Sequence, residues 1–292
     1  MVWSVCIFAH NEARLLPRCL DALNRAAAGG DYVVHVLENG STDETARVAR
    51  ALAAADGRIA VHELAYGDKS NAWNEYVHRV CGQADMHVFI DGDVQPAAGA
   101  LAALAAAFEA LPDLYAAAAL PATGRSRKSW ASRLFMNNYL SGNLYALRGS
   151  VVDLIRARSI RLPVGAVGED GIITYLMLTD LAGGPDDSHR ERIAVADGAY
   201  FEFDSLQPNA RDLRLYRRRL RRYSRRHFQR EILYTLLKEG GVAAMPETID
   251  EIYSRAALAD LRPRLDPVNF FFDRAMLKRL RAEAAQRASP VL

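Results

Sequence analysis

Two acidic clusters in this sequence have the residue types and spacing to do chemistry. Asp91-Gly92-Asp93 follows the apolar run Met86 to Ile90. Two carboxylates one residue apart, with glycine between them to permit a tight turn, can offer oxygen ligands to a hard divalent cation that also holds a diphosphate. A turn capped by two aspartates would use the same three residues. Gly168-Glu169-Asp170-Gly171 stands before the apolar stretch Ile172 to Leu178. A carboxylate there could take a proton from a hydroxyl; acidic residues in a first helical turn also complement the helix dipole with no catalytic role.

The elements that must position these clusters alternate along the first hundred residues. Val2 to Ala9 is a short apolar run ending at His10-Asn11-Glu12, and Leu15, Leu16, Leu20 and Leu23 then recur at helical spacing. Tyr32 to Leu37 ends at Glu38-Asn39-Gly40-Ser41-Thr42-Asp43 and gives way to a helix over Glu44 to Ala55, with Ser41 or Thr42 available as its cap. Ile59 to Leu64 is a third strand, Lys69 to Val80 a third helix and Met86 to Ile90 a fourth strand. Such alternation predicts parallel β-α units whose loops gather beyond the strands' C-terminal ends, where ligands bind. His10 to Glu12, Glu38 to Asp43 and Asp91 to Asp93 should therefore meet in one cleft. The alanine-rich stretch Ala97 to Ala119 reads as a helix, Leu140 to Ala146 and Val195 to Phe203 as later strands, and Asp170 to about Thr179 as a helix between them. From Asp212 the pattern is helical, broken by Gly240-Gly241, Pro246 and Pro263 to Pro267. No internal repeat is evident.

The chain has 292 residues, enough for one large α/β domain, and carries 37 basic against 35 acidic residues. The near-neutral balance does not by itself suggest a polyanionic partner. Charge is uneven, however: Arg211 to Arg230 contains ten arginines and one aspartate. Cys6, Cys19 and Cys81 show no C-x-x-C spacing, so neither a disulfide framework nor a zinc knuckle is indicated, and a reducing compartment is expected. Met1 to His10 lacks the features of a signal peptide, and no charge-free apolar run reaches 18 residues. The expectation is a cytoplasmic protein, soluble or attached peripherally at the inner face of a membrane.

Six segments resemble family 2 glycosyltransferases in the family's own order. Phe8-Ala9-His10-Asn11-Glu12 with Leu15, Pro17, Cys19 and Leu20 resembles the opening motif, and Glu38 to Thr45 the second-strand motif. Gly67-Asp68-Lys69-Ser70-Asn71-Ala72-Trp73-Asn74 is similar to the G-K-x-x-A-x-N helix, Asp91-Gly92-Asp93 to the metal motif, Ser141 to Gly149 to the acceptor-side segment, and Gly168-Glu169-Asp170 to the catalytic-base motif. The likeness covers roughly residues 2 to 223. It implies the A-type glycosyltransferase fold, an α/β architecture with a Rossmann-like, mostly parallel central sheet flanked by helices, here with a helical C-terminal extension. The domain expectation is 1–210 for nucleotide-sugar binding and catalysis, and 211–292 for the arginine-rich extension.

Carried over by position, Ala9, His10 and Glu12 would line the nucleotide pocket, Glu38 would meet the base or ribose, and Lys69 and Asn71 would lie on the donor side. Asp91 would approach ribose and metal, with Asp93 the direct ligand of a divalent cation, manganese or magnesium. Glu38-Asn39 replaces the aspartate pair of most members, which bears on the base, implied to be uracil. Asp170 is the candidate general base of an inverting transfer, which needs one carboxylate opposite the leaving diphosphate. Glu169, Trp130 and Arg148 would serve the acceptor, whether glycan, lipid-linked or small molecule.

The arginine segment keeps three readings open. Arg219-Leu220-Arg221-Arg222-Tyr223 is the nearest register to the Q-x-x-R-W motif of processive relatives, which would place Arg222 and Tyr223 over the diphosphate, although the substitutions weaken that match. A basic face resting on anionic lipid is the second reading, and a solvated helix the third. Phe270 to Phe272 and the Leu277-Leu280 stripe read as core contacts or a homodimer seam. A nucleotidyltransferase acting on sugar phosphates is the enzymatic alternative, but Ala9 to Arg14 lacks the glycine-rich loop expected of that class. A basic nucleic-acid- or membrane-binding protein is the non-enzymatic alternative; no nucleic-acid reading module is recognisable, so no nucleic-acid partner is expected.

Overall fold

The structure is a computed structural model that describes residues 2–185, 189–204 and 210–287. The first four strands are β1 (Val2–Ala9), β2 (Asp31–Asn39), β3 (Ile59–Leu64) and β4 (Met86–Asp91), and they alternate with helices α1 (Leu16–Ala26), α2 (Thr45–Ala55) and α3 (Lys69–Glu75). All their mutual pairings are parallel, in the order β3-β2-β1-β4. The apolar runs of β1 and β4 are buried almost end to end because helices cover both faces of the sheet. Along β1, Cys6 and Phe8 enter one core with Trp73 of α3 and Tyr76 just after it, whereas Val5 and Ile7 enter the opposite core with Leu16, Leu20 and Leu23 of α1.

Beyond β4 the sheet becomes mixed. It continues β4-β7-β6-β8-β5, with β5 (Val94–Pro96), β6 (Ala116–Pro121), β7 (Leu144–Arg148) and β8 (Ile193–Phe203). β7 runs antiparallel to both β4 and β6, while β6 and β8 are parallel. The expected single helix over Ala97 to Ala119 is corrected to α4 (Ala100–Ala110) followed by β6. Leu111-Pro112-Asp113 ends the helix, and the alanines after it are buried all along their length between β7 and β8, where small side chains fit a doubly covered strand. Alanine's helix preference is a fraction of a kcal/mol per residue, less than the ladder hydrogen bonds and burial that compete with it. The later strand expected from Leu140 begins instead at Leu144, leaving 141–143 as a loop beside the end of β4.

The remaining helices are α5 (Arg127–Asn137), α6 (Gly149–Ala157), α7 (Glu169–Leu178), α8 (Ala210–Gly240), α9 (Arg255–Ala259) and α10 (Pro267–Arg287). α7 is buried nearly all round, and Phe228, Leu233 and Leu237 of α8 share one core with its Ile172, Ile173 and Leu176. Leu277 and Leu280 of α10 lie in that same core, which makes the stripe a packing surface and removes it as a dimer seam; Phe271 is exposed.

Because α8 and the sheet helices bury one continuous apolar layer, the fold should unfold in a single transition. Phe228→Ala should lower stability by about 3 kcal/mol while keeping one cooperative step by circular dichroism. Separate melting of residues 211–292 would contradict the shared core.

Candidate active site

The C-terminal ends of β1, β2 and β4 form the floor of the site. Asn11 takes a left-handed backbone, φ +59°, which turns its side-chain carbonyl onto the amides of Thr42 at 2.8 Å and Asp43 at 3.3 Å. The loops after β1 and β2 are thus tied together. His10 Nδ1 lies 2.7 Å from the Asn39 carbonyl oxygen. Gly92 donates its amide to the Phe8 carbonyl at 2.8 Å, and a Cβ there would stand 3.0 Å from that oxygen, so the expected role of the glycine is met by close backbone approach. Beneath this floor the Phe89 ring stacks on Tyr145 at 4.8 Å and on Phe8 at 6.3 Å.

Lys69 opens α3, whose first turn is capped by the Asp68 side chain accepting from the Asn71 amide at 2.7 Å. The Lys69 ammonium is 2.6 Å from Asp91 Oδ1 and 2.7 Å from Glu169 Oε1, and it donates to the Gly142 carbonyl at 2.9 Å. One cation therefore joins the end of β4, the start of α7 and the 141–143 loop. Burial opposes its charge, but Asp91 and Glu169 outweigh burial and hold the lysine above its ordinary pKa. Glu169 is held below the ordinary carboxylate range, since burial, which would raise it, is overcome by Lys69.

Negative charge is left over. Burial pushes Asp91 up to about 7, with Lys69 pulling it down and Asp93 and Glu169 adding to the rise. Burial likewise raises Asp93, which makes no ion pair among the described residues. Glu12 is pushed up to about 8 by burial and then by Asp93, Asp91 and Asp43. Among the described residues no three His, Cys, Asp or Glu side chains gather closely enough to hold a metal unaided. The donor set nevertheless suits a hard cation that takes one or two carboxylates from protein and its other oxygens from phosphate.

Asp170 sits one residue past Glu169 and faces the other way. Its Oδ1 is 3.0 Å from Arg226 Nη2 of α8. Gly168, at φ +87°, leaves room for that guanidinium, since a Cβ there would press against the Arg226 side chain. Burial opposes the Arg226 charge, and Asp170 with Glu169 more than restores it. Tyr234 donates its hydroxyl to the Gly171 carbonyl at 2.6 Å and closes the wall beside them.

These parts border a single cleft of about 1510 Å³. Of the expected site residues, it is lined by His10, Glu12, Lys69, Asp91, Asp93, Trp130, Glu169, Asp170, Arg222 and Tyr223. Ala9 is fully buried in β1 behind the lining. Glu38 is also buried, and its carboxylate accepts the Ser41 amide at 2.7 Å, closing the turn after β2. Asn71 contributes its amide to the α3 cap and does not line the cleft.

Arg148 requires correction. The antiparallel direction of β7 pairs Leu144 with Ile90 at the site end and Arg148 with Met86 at the far end. Arg148 instead donates to the carbonyls of Leu114, Phe108 and Leu111 at 2.7, 2.9 and 2.8 Å, and it stacks over the Phe108 ring. Sequence reading had missed Asp68, which also accepts from the Gly165 amide at 2.8 Å, and Arg133, Arg226 and Arg230 on the walls. A signal for the α8 pair existed in the four-residue spacing of Arg218, Arg222, Arg226 and Arg230.

The family model for glycosyl transferase family 2 matches residues 4–161, more than half of the 292. The chain belongs to glycosyl transferase family 2 and is a glycosyltransferase. No curated protein matches it. Among solved structures it is similar in fold to the mannosyltransferase PcManGT of Pyrobaculum calidifontis, in complex with GDP-Man and Mn2+, at 16% identity and TM-score 0.61, over 98% of this chain and 88% of that one. S. aureus TarS 1-349 is similar at 15% identity and TM-score 0.53, over 100% and 93%. Glucosyl-3-phosphoglycerate synthase of Mycobacterium tuberculosis, in complex with Mn2+, UDP and glucosyl-3-phosphoglycerate, is similar at 18% and 0.52, over 77% and 79%. The architecture is the A-type glycosyltransferase fold with C-terminal helices. Among the described residues no helix is long and apolar enough to cross a membrane.

Two measurements probe this geometry. A carboxyl raised on folding binds protons that the unfolded chain releases, so the Glu12 contribution falls as pH rises from about 4.5 to about 8. Metal-free Glu12→Gln should therefore melt at least about 2 °C above the parent at pH 8.5, and the gap should close near pH 4.5. Arg148→Ala should cost about 2 kcal/mol of stability by removing the side-chain donor of the Leu114 and Phe108 carbonyls, yet leave kcat/KM unchanged; a selective loss of acceptor KM would return that arginine to the site.

Proposed function

We propose that the protein is an inverting glycosyltransferase that moves a sugar from a UDP-linked donor to an acceptor hydroxyl, with Asp170 as general base. The observation that carries this reading is the meeting of Asp91, Asp93, Glu169 and Asp170 in one cleft, with Lys69 bridging the two acidic motifs. In this reading residues 1–210 hold the donor and the reacting groups, and 211–292 form the wall that closes over them. The UDP assignment draws on the sequence resemblance and on the UDP complex of the mycobacterial synthase.

Asp93 and Asp91 would hold a divalent cation, manganese or magnesium; the Mn2+ of two similar structures supports this. When bound, that ion supplies positive charge to the departing diphosphate. His10 and Glu12 flank the nucleotide, and Lys69 keeps Asp91 and Glu169 in place. Arg222 and Tyr223 lie on the wall where the diphosphate would be covered, and Trp130, also on the wall, would contact the acceptor sugar. Asp170 takes the acceptor proton as the acceptor oxygen bonds to the anomeric carbon. The bond from that carbon to the diphosphate oxygen breaks on the opposite face, which inverts the centre. Arg226 orients the base, and Glu169 orients the acceptor.

The same proposal places the enzyme at the inner face of a membrane in peripheral contact with anionic lipid. Leu213 and Tyr216 of α8 are exposed beside Arg214 and Arg217, the pattern of a surface-resting helix.

Asp170→Asn should lower kcat about a thousandfold while the donor Kd stays within about threefold; turnover at the parent rate would overturn the base assignment. Asp93→Ala should weaken manganese-dependent donor binding by more than about tenfold, a loss of about 1.4 kcal/mol. Thermal shift with manganese and a panel of nucleoside diphosphates reads the base, and a preference for GDP would replace UDP in the proposal.

A further inference from the structure

The acids of the cleft are accounted for at one end, whereas its arginines are in surplus at the other. Lys69 answers Asp91 and Glu169, and Arg226 answers Asp170. Asp93 has no ion-pair partner among the described residues and is left for the cation it would hold with Asp91, which would also neutralise the donor diphosphate. Arg218, Arg219 and Arg222 lie on the same stretch of wall, with Arg219 close enough to lower the Asp93 carboxyl. Three arginines have no such duty. Arg133 projects from the α5 face that also carries Trp130 and Asn137 into the cleft. Arg190 is anchored to the end of α5 by a 2.6 Å bond from its Nη2 to the Met136 carbonyl. Arg230 lies on α8 one turn past Arg226, its guanidinium 5.5 Å from the centre of the Tyr234 ring. None of the three makes an ion pair among the described residues, and all three line the cleft.

All three are exposed, so solvent answers their charge in the free protein, and an anionic group entering the cleft would take the place of that solvent. Guanidinium forks match phosphate in geometry as well as charge. The space is also larger than one substrate needs: about 1510 Å³, against roughly 300–1,000 Å³ for a small-ligand pocket. Building on the glycosyltransferase reading above, we propose that the acceptor carries a phosphate group and that Arg133, Arg190 and Arg230 hold it, presenting the neighbouring hydroxyl to Asp170. The phosphate belongs either to a soluble phosphomonoester or to a lipid headgroup reaching into the cleft.

The test uses the full chain saturated with UDP and manganese. Calorimetric titration with sn-glycerol 3-phosphate should give binding that glycerol does not, and an Arg133→Gln/Arg230→Gln double variant should lose at least about tenfold in affinity, about 1.4 kcal/mol. UDP affinity should stay within about twofold in that variant, since neither altered side chain makes an ion pair with Asp91, Asp93 or Glu12 among the described residues. In parallel, co-sedimentation of the loaded chain with phosphatidylglycerol vesicles is compared with phosphatidylcholine vesicles. Binding of glycerol phosphate assigns a soluble acceptor, and arginine-dependent binding to phosphatidylglycerol alone assigns a headgroup. Binding in neither arm, or equal binding by the double variant, overturns the proposal. Failure of UDP to bind at all sinks the donor reading instead, and the titrations repeated without nucleotide then judge the phosphate site by itself.

Discussion

The Lys69 ammonium, buried between Asp91 and Glu169, is the interaction on which the arrangement of this site depends. Two carboxylates from elements almost eighty residues apart would repel if brought together unaided in a poorly solvated floor. The lysine makes their approach possible and, through the Gly142 carbonyl, sets the loop that crosses between them. Such a pair need not raise net stability, since desolvation consumes much of the Coulombic gain. Lys69 and Asp91 keep some contact with solvent, so removing one partner should cost less than the about 3–5 kcal/mol typical of a fully buried pair, which still favours this geometry.

Compensation there is deliberately incomplete in its electrostatic result. One positive charge meets two negative ones, while Asp93 and Glu12 stand nearby with no cationic side chain paired to them among the described residues. Burial then raises Asp91, Asp93 and Glu12 together, and repulsion from neighbouring acids adds to the rise of Asp91 and Glu12. The end of the cleft nearest β1 and β4 is therefore short of positive charge, whereas the α5 and α8 walls carry it in excess. A substrate with phosphate at both ends of its reaction would find both needs met, one through a cation and the other through guanidinium groups.

Asp170 belongs to neither end. α7 turns Glu169 toward Lys69 and Asp170 toward Arg226, because adjacent helical residues point in different directions. Two neighbouring carboxylates so acquire separate partners and separate tasks. Arg226 passes close over Gly168 to reach the base, which ties the acidic motif to a helix that follows it by more than forty residues.

The amino-acid sequence by itself determined the parallel strand-helix units and the gathering of His10, Glu12, Lys69, Asp91 and Asp93 at one sheet edge. Period, capping and the direction of parallel strands are local or nearly local properties, and they are written residue by residue. It also marked Glu169 and Asp170 through their motif. Only the tertiary structure decided that Ala116 to Pro121 is a strand, because both its faces are covered by residues distant in sequence. It alone decided that β7 runs backward and carries Arg148 to the end of the sheet away from the cleft, and that Glu38 turns into its own loop. The pairing of Arg226 with Asp170 and the surplus of Arg133, Arg190 and Arg230 were likewise beyond the sequence. Charge pairing depends on which side chains meet across several ångströms, and that is fixed by packing between elements rather than by the order of residues along the chain.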